Sequence, residues 1–367
     1  MPIPTLPEAR RELEVLAAGA IQIADEIAVM AVANLKDDVP FSTSFDRKTE
    51  YFTEDELEQI VSGFRTAGFY CDVFIGEGEF IDWVLGGGAR RFPRRKLLVY
   101  NTAQSGIGAG RKSLIPAFCM LQGIPTLNAD PYGASLARHK FHVNAILRST
   151  GVPVPPTWWY FGKGLWLNEE RPPIGTHVLA KSTYESASIG ISSGSSMLSD
   201  HDLEERLDAT RAGLQQPVVV QTFVTGREAE TPVFRVDNLF PLAPVGISID
   251  KQHDVGDTFL SFERVCEDDY DFYALEEDLP ELVEPLRQIA ASTVQTLQLR
   301  GFCRVDSRID TERRIFVTDV STTPHLVAHS SYAFRFRYLG FDQGTMLAAL
   351  VGLALQSSNS LSRTGGP

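Results

Sequence analysis

The apolar run IAVMAVA, Ile27 to Ala33, has no polar interruption. That is the pattern of a strand buried on both faces of a parallel sheet. A polar stretch from Asn34 to Phe52 follows. Thr53 and Glu56 then make a capping-box pattern ahead of Leu57, Ile60, Val61 and Phe64, which share one helical face, with Gly68 as the stop. YCDVFIG and KLLVYNTA read as second and third strands. Strand, helix and strand in this order predict an open α/β layer structure through about residue 130.

Ala137 to Thr150 reads as a helix closed by Gly151, after which prolines hold VPVPPTWWY extended as a junction. Beyond it lie a strand HVLAKS, a small-residue loop TYESASIGISSGSS, a helix opened by Ser199 with Leu203, Leu207 and Leu214 on one face, and a strand VVVQTFV. Strands in RVD and PLAPVGISI come next, and Asp250 to Asp278 has no clear pattern. A helix from near Pro280, a hairpin and an apolar helix from about Asp342 to Leu355 complete the chain, and the low-complexity segment from Gln356 to Pro367 is expected to be disordered.

The hairpin, VDSRIDTERRIFVTDVSTTPHL, carries the first chemical signal. Phe302 to Ile309 and Ile315 to Val320 flank a polar turn from Asp310 to Arg314. If Ile309 pairs with Phe316, Asp306 faces Asp319 and Arg304 faces Ser321 on one side, while Val305, Ile309, Phe316 and Val320 point into a core. Facing carboxylates repel unless positive charge lies between them. Two readings compete: a hard cation in the gap, or a solvated face neutralised by Arg304 and Arg308.

With 367 residues and 43% hydrophobic composition, the chain can bury a large core in two or three domains. Its net charge of −13 excludes an extended nucleic-acid or anionic-membrane surface. The one basic run, Arg90, Arg91, Arg94, Arg95 and Lys96, reads as a solvated loop. Cys71, Cys119, Cys266 and Cys303 have no metal-site spacing and read as reduced thiols. The acidic, proline-containing N-terminus lacks signal-peptide character and TMLAALVGLAL is too short to span a bilayer, so a cytoplasmic protein is expected.

The loop SGIGAGRKS, Ser105 to Ser113, invites a phosphate-binding reading that fails on spacing. A dinucleotide fingerprint needs Gly where Arg111 stands, and a P-loop needs Lys directly after the last Gly, whereas Lys112 is one residue late. A structural turn is the expectation. Lys181 ends an apolar strand and, if buried, needs an anionic partner. The Ser- and Gly-rich loop from Ser182 to Ser196 offers hydroxyls and amides that can close over phosphate oxygens. A solvent-reaching Lys at a strand end is the competing reading.

In this order, GIPTLNADPYGASLARHKFHVNAILRSTGVPVPPTW, LAKSTYESASIGIS, VVVQTFVTGREAE, GFCRVDSRID and FVTDVSTTPHLVAHSS resemble the ATP-grasp superfamily and, within it, the D-alanine-D-alanine ligases, over roughly residues 95 to 355. The resemblance implies an ATP-grasp fold: an N-terminal α/β domain over 1–130, then two α+β subdomains clasping ATP, a central lid over 131–224 and a metal and substrate part over 225–356, with a tail over 357–367. It implies that Lys140 and Lys181 hold ATP phosphates, Glu185 to Ser188 fold over them, Gln221, Thr222, Phe223 and Val224 form the adenine hinge, and Glu228 binds ribose. Asp306, Asp319 and Ser321 would hold magnesium, two ions by analogy. Arg304 and the amide at His325 would face the oxyanion, and Ser330 would bind the incoming substrate's carboxylate. Catalysis would rest on Arg304, Lys181 and Ser330.

Ser321, Asp319 and Gln221 stand where this family usually has Asn, Glu and Glu. The loop that grips the first substrate's ammonium and the lid with its Tyr and Lys are not recognisable, leaving Asp37, Asp38, Lys251 and His253 as candidate substitutes. These departures point away from cell-wall D-Ala-D-Ala synthesis. The resemblance implies an ATP- and magnesium-dependent ligase of two amino acids in specialised metabolism, acting through an acyl phosphate to give a dipeptide or γ-glutamyl-type amide, with a homodimer as the assembly. Alternatives are a non-ligating nucleotide- or amino-acid-binding protein on the same scaffold, a true D-Ala-D-Ala ligase, and a kinase or carrier-protein ligase.

Overall fold

A computed structural model describes residues 3–36, 45–235 and 238–364, the last seven by backbone alone. Asp37, Asp38 and most of the expected RVD strand lie outside the described residues. The N-terminal layer contains β1 (Ile27–Ala33), β2 (Tyr70–Ile75) and β3 (Lys96–Asn101) in a parallel sheet of order β2-β1-β3. β1 is buried throughout, as its apolar run requires. Val29 and Ala31 face one core, while Ala28, Met30 and Val32 face another with Phe74, Phe80 and Ile115.

The helix Glu54–Thr66 begins at the expected capping box, in which Thr53 Oγ1 accepts from Glu56 N–H and the Glu56 carboxylate accepts from Thr53 N–H. A second capping box, Thr5 with Glu8, opens a further helix over Leu6–Gln22, beyond the elements expected from the sequence. This helix packs against the C-terminal one, Gln343–Thr364, which continues past Leu355 through most of the segment expected as a tail. The two ends of the chain thus share the largest core, with Leu13 and Leu16 alongside Met346, Leu350 and Leu353.

The central sheet is antiparallel, ordered β5-β4-β8-β6-β7, from β4 (Thr157–Gly162), β5 (Leu165–Trp166), β6 (His177–Ser182), β7 (Ser196–Leu198) and β8 (Val218–Thr222). The helix Leu203–Leu214 covers it through Leu203 and Leu207.

The third sheet holds β9 (Gly226–Arg235), β10 (Leu239–Pro241), β11 (Val245–Ser248), β12 (Asp271–Ala274), β13 (Gly301–Asp310) and β14 (Ile315–Ser321). Its order is β12-β11-β9-β13-β14, with β10 beside β9. β12 and the helix Phe262–Glu267 organise the stretch for which the sequence showed no pattern.

The hairpin forms with Asp306 opposite Asp319 and Arg304 opposite Ser321, but Ile309 pairs with Ile315 and not with Phe316. The register shifts after Asp306, whose neighbour Ser307 pairs with Val317, leaving Thr318 as the extra residue of a bulge. Val317 therefore takes the core position expected of Phe316, which is only half-buried.

Gly352 lets the terminal helices touch: a Cβ there would lie 2.4 Å from Leu16 O. Substituting Gly352→Ala forces backbone apart in a closed core and should cost about 1–3 kcal/mol, read as a lower urea midpoint with an unchanged slope.

Candidate functional site

A cleft of about 690 Å³ opens where the three sheets meet. Its floor is the third sheet, where register aligns Glu230 on β9, Asp306 on β13 and Asp319 on β14 in one row across neighbouring strands. Each acid meets a cation. Asp306 receives Arg304 in a two-pronged pair, Nε to Oδ1 at 2.7 Å and Nη2 to Oδ2 at 2.8 Å. The same Nη2 lies 3.1 Å from Glu230 Oε1. Asp319 Oδ2 lies 3.0 Å from Lys140 Nζ. Of the two cations in the solvated-face reading, Arg304 takes this part, whereas Arg308 pairs with Glu228 at 2.7 Å.

Electrostatics differ along the row. Burial raises Asp306 despite the opposing Arg304. Burial acts in the same direction on Asp319, but Lys140 and Lys181 outweigh it and its carboxyl is lowered. Glu230 is pushed up to about 7 by burial, against the pull of Arg304. Its Oε2 makes no hydrogen bond of normal geometry although Ser331 is close by.

The two expected phosphate lysines converge here from separate elements. Lys140 is the first residue of the helix Lys140–Ser149 and also donates to Glu185 O at 2.6 Å. Lys181 is buried on β6 and donates to Gln221 Oε1 at 2.8 Å, so its direct partner is a neutral amide and not the anion expected for a buried strand lysine. Burial lowers Lys181 to about 8. Gln221 is fixed in turn by donating to Thr157 Oγ1 at 3.1 Å.

Other expected residues are placed differently. The Glu185 backbone lines the cleft, but its carboxylate is turned into a buried charge cluster. Ser188 lines the cleft and donates to Leu260 O at 2.6 Å. Thr222 N–H donates to Pro156 O and Phe223 N–H to His177 O, at 2.8 and 2.9 Å. Phe223 stacks under Arg308 at 4.7 Å. Glu228, Phe259 and Leu179 line that end of the cleft, whereas Gln221, Thr222, Phe223 and Val224 do not. Ser321 lines the cleft opposite Arg304.

Ser330 lines the cleft and caps a helix. It accepts from Ala333 N–H at 3.1 Å and donates to Val327 O at 2.8 Å at the start of the helix Ser331–Tyr338. His325 packs edge-on to Phe52, and burial holds it down at about 4. Lys251 and His253 do not line the cleft, and His253 pairs with Asp278.

Beneath the backbone of the loop after β6 lies a charge cluster that the sequence did not reveal. Arg111 Nη2 lies 2.7 Å from Glu50 and 2.5 Å from Glu185, and Arg138 Nη2 lies 2.9 Å from Glu50. Gln216, Arg47 and, at 3.7 Å, Arg138 also meet the Glu185 carboxylate, and Glu50 also accepts the Ser186 N–H. Arg111 and Lys112 belong to the loop expected to be only a turn. Glu50, Arg138 and Glu230 sat in polar or mixed segments with no local signal, and only nonlocal packing gives each its partners.

The donor set suits a hard cation. Asp306, Asp319 and Ser321 offer oxygen ligands on one face, which matches magnesium with phosphate oxygens and water completing the shell. Among the described residues no cluster of three or more His, Cys, Asp or Glu forms a closed metal site. Asp306 and Asp319 would hold such an ion only by sharing themselves with Arg304 and Lys140.

Removing one member of a buried charge cluster leaves the others unpaired, so Glu50→Ala should lower stability by about 3–5 kcal/mol, measured by chemical denaturation. Glu230 titrates near 4.5 when unfolded and near 7 when folded. Its contribution is therefore present below pH 4.5 and is lost as pH rises through 7. Glu230→Gln should consequently gain melting temperature relative to the parent between pH 5 and pH 8.

The family model described as the D-ala D-ala ligase C-terminus matches residues 146–352. The chain is 24% identical over 254 residues to the D-alanine–D-alanine ligase of Frankia casuarinae, covering 69% of this chain and 65% of that protein, just under two thirds of its length. It is 24% identical to D-alanine–D-alanine ligase A of Pseudomonas putida, covering 73% of this chain and 78% of the relative. The crystal structure of the Bacillus anthracis D-alanine–D-alanine ligase complexed with ATP superposes with a TM-score of 0.67 at 14% identity, over 91% of this chain and 99% of that one. A family match across more than half of its length, on an ATP-grasp fold, places this chain in the D-alanine–D-alanine ligase family.

Proposed function

We propose that this chain is an ATP-dependent carboxylate–amine ligase that joins two amino acids through an acyl phosphate, giving a dipeptide or a γ-glutamyl-type amide. The observation that carries this reading is the meeting of Lys140 and Lys181, from a helix and from the central sheet, with the acid row of the third sheet at one cleft. Such a gathering of opposite charges suits a triphosphate: the lysines face its oxygens and the aspartates face its counter-ion. Magnesium, held by Asp306, Asp319 and Ser321, would neutralise phosphate charge.

In the first step a carboxylate oxygen of one amino acid attacks the γ-phosphorus and ADP leaves. In the second, the amine nitrogen of the other attacks the acyl carbon, phosphate leaves with the bonding pair, and the nitrogen loses a proton. Lys140 and Lys181 orient the phosphates. Lys181, lowered by burial, gains from an arriving phosphate the anionic partner that Gln221 does not supply. Glu228 and Phe259 lie where the nucleoside end would rest. Arg304, fixed from two sides by Asp306 and Glu230, is preorganised toward the oxyanion. Ser330 contributes by ordering the loop in front of its helix.

Removing one such donor typically costs about 2.7–4 kcal/mol of barrier, so Arg304→Ala should bind ATP normally yet form ADP far more slowly with amino acids. Mass spectrometry of reactions with ATP, magnesium and amino acids of both configurations identifies the product. Nucleotide binding without amino-acid-dependent ADP release would instead support a non-ligating binding protein.

A further inference from the structure

We propose that Lys112 selects the acyl donor by receiving a second carboxylate, so that the activated substrate is an acidic amino acid; this rests on the ligase reading. Lys112 is only 8% exposed, yet its Nζ reaches the cleft and donates to the neutral Thr323 Oγ1 at 2.8 Å. Among the described residues it forms no ion pair. The charges that act on it are Arg138, Arg111 and Lys140, which repel its ammonium, and Glu50, which attracts it. The Glu50 carboxylate is already shared by Arg111, Arg138 and the Ser186 N–H. A buried ammonium with three donor hydrogens and one neutral acceptor is poorly compensated. Burial accordingly pushes Lys112 down to about 7.

Its position says which anion would complete it. Thr323 follows two residues after the end of β14, the strand that carries Asp319, and Lys112 shares the cleft with Arg304. The phosphates have Lys140 and Lys181, and the reacting carboxylate has Arg304. Lys112 sits on the short 3-10 turn Arg111–Ser113 of the N-terminal layer, outside the sheets that carry Lys181 and Arg304. An anion met there belongs to a further part of the substrate. A side-chain carboxylate fits, and a phosphate oxygen would offer the same chemistry from the nucleotide.

The test compares amino-acid-dependent ADP formation by the parent enzyme, Lys112→Met and Lys112→Arg, with glutamate, aspartate and alanine of both configurations as donors. The parent should favour the acidic donors. Loss of a charge-assisted hydrogen bond predicts a KM for them raised about tenfold or more in Lys112→Met, with KM for ATP unchanged and partial recovery in Lys112→Arg. A rise in KM for ATP instead would assign Lys112 to the phosphates and overturn the proposal. So would an equal loss for acidic and neutral donors. If the parent turns over neutral donors only, the ligase reading stands and this inference falls; if no amino acid elicits ADP, both fall.

Discussion

Three carboxylates aligned across β9, β13 and β14 set the terms for everything around them. Strand pairing fixes Glu230, Asp306 and Asp319 side by side on one face, and like charges so placed destabilise a sheet unless compensated. The compensation comes from three directions: Arg304 from within the sheet, Lys140 from a helix of the central segment, and Lys181 from β6. Charge balance therefore ties the third sheet to the central part of the chain at the place where chemistry is proposed. The same balance leaves the site responsive, because an incoming polyanion and its counter-ion can take over as partners.

A second charge cluster performs a different task. Glu50 and Glu185 sit among Arg47, Arg111 and Arg138 with almost no exposure, joining the N-terminal layer to the loop after β6. Through Ser186 N–H to Glu50 and Lys140 to Glu185 O, the backbone of that loop is held at the cleft wall. Buried ion clusters are weak evidence of net stability, since desolvation offsets much of their attraction. Their geometric effect is clearer, for they specify one arrangement of the four chain segments that carry them.

The elements with strong local signals were legible. The buried β1, the capping box at Thr53, the hairpin and the helix from Pro280 all follow from period, caps and turn residues. The Thr5–Glu8 box carried the same signal and was overlooked. The bulge at Thr318 was not legible, because it depends on pairing between strands and not on composition within one; it exchanged Phe316 for Val317 in the core while leaving the facing aspartates in place. Ser330 illustrates a further limit. The residue type and position matched a substrate-binding role, whereas its hydroxyl caps the helix that follows through Ala333 N–H and donates to Val327 O in the loop before it.

By itself the sequence determined many of the strands and helices, that Asp306 faces Asp319, and that Lys140, Lys181 and Arg304 belong to one ordered set of motifs. These follow from interactions close along the chain or from motif order. Only the tertiary structure decided that Glu230 joins the acid row, that Glu185 turns away from the cleft to Arg111, and that Lys112 lies buried in the cleft. Burial and pairing of charge depend on residues far apart in sequence, and a side chain's role follows from the partners that folding brings to it.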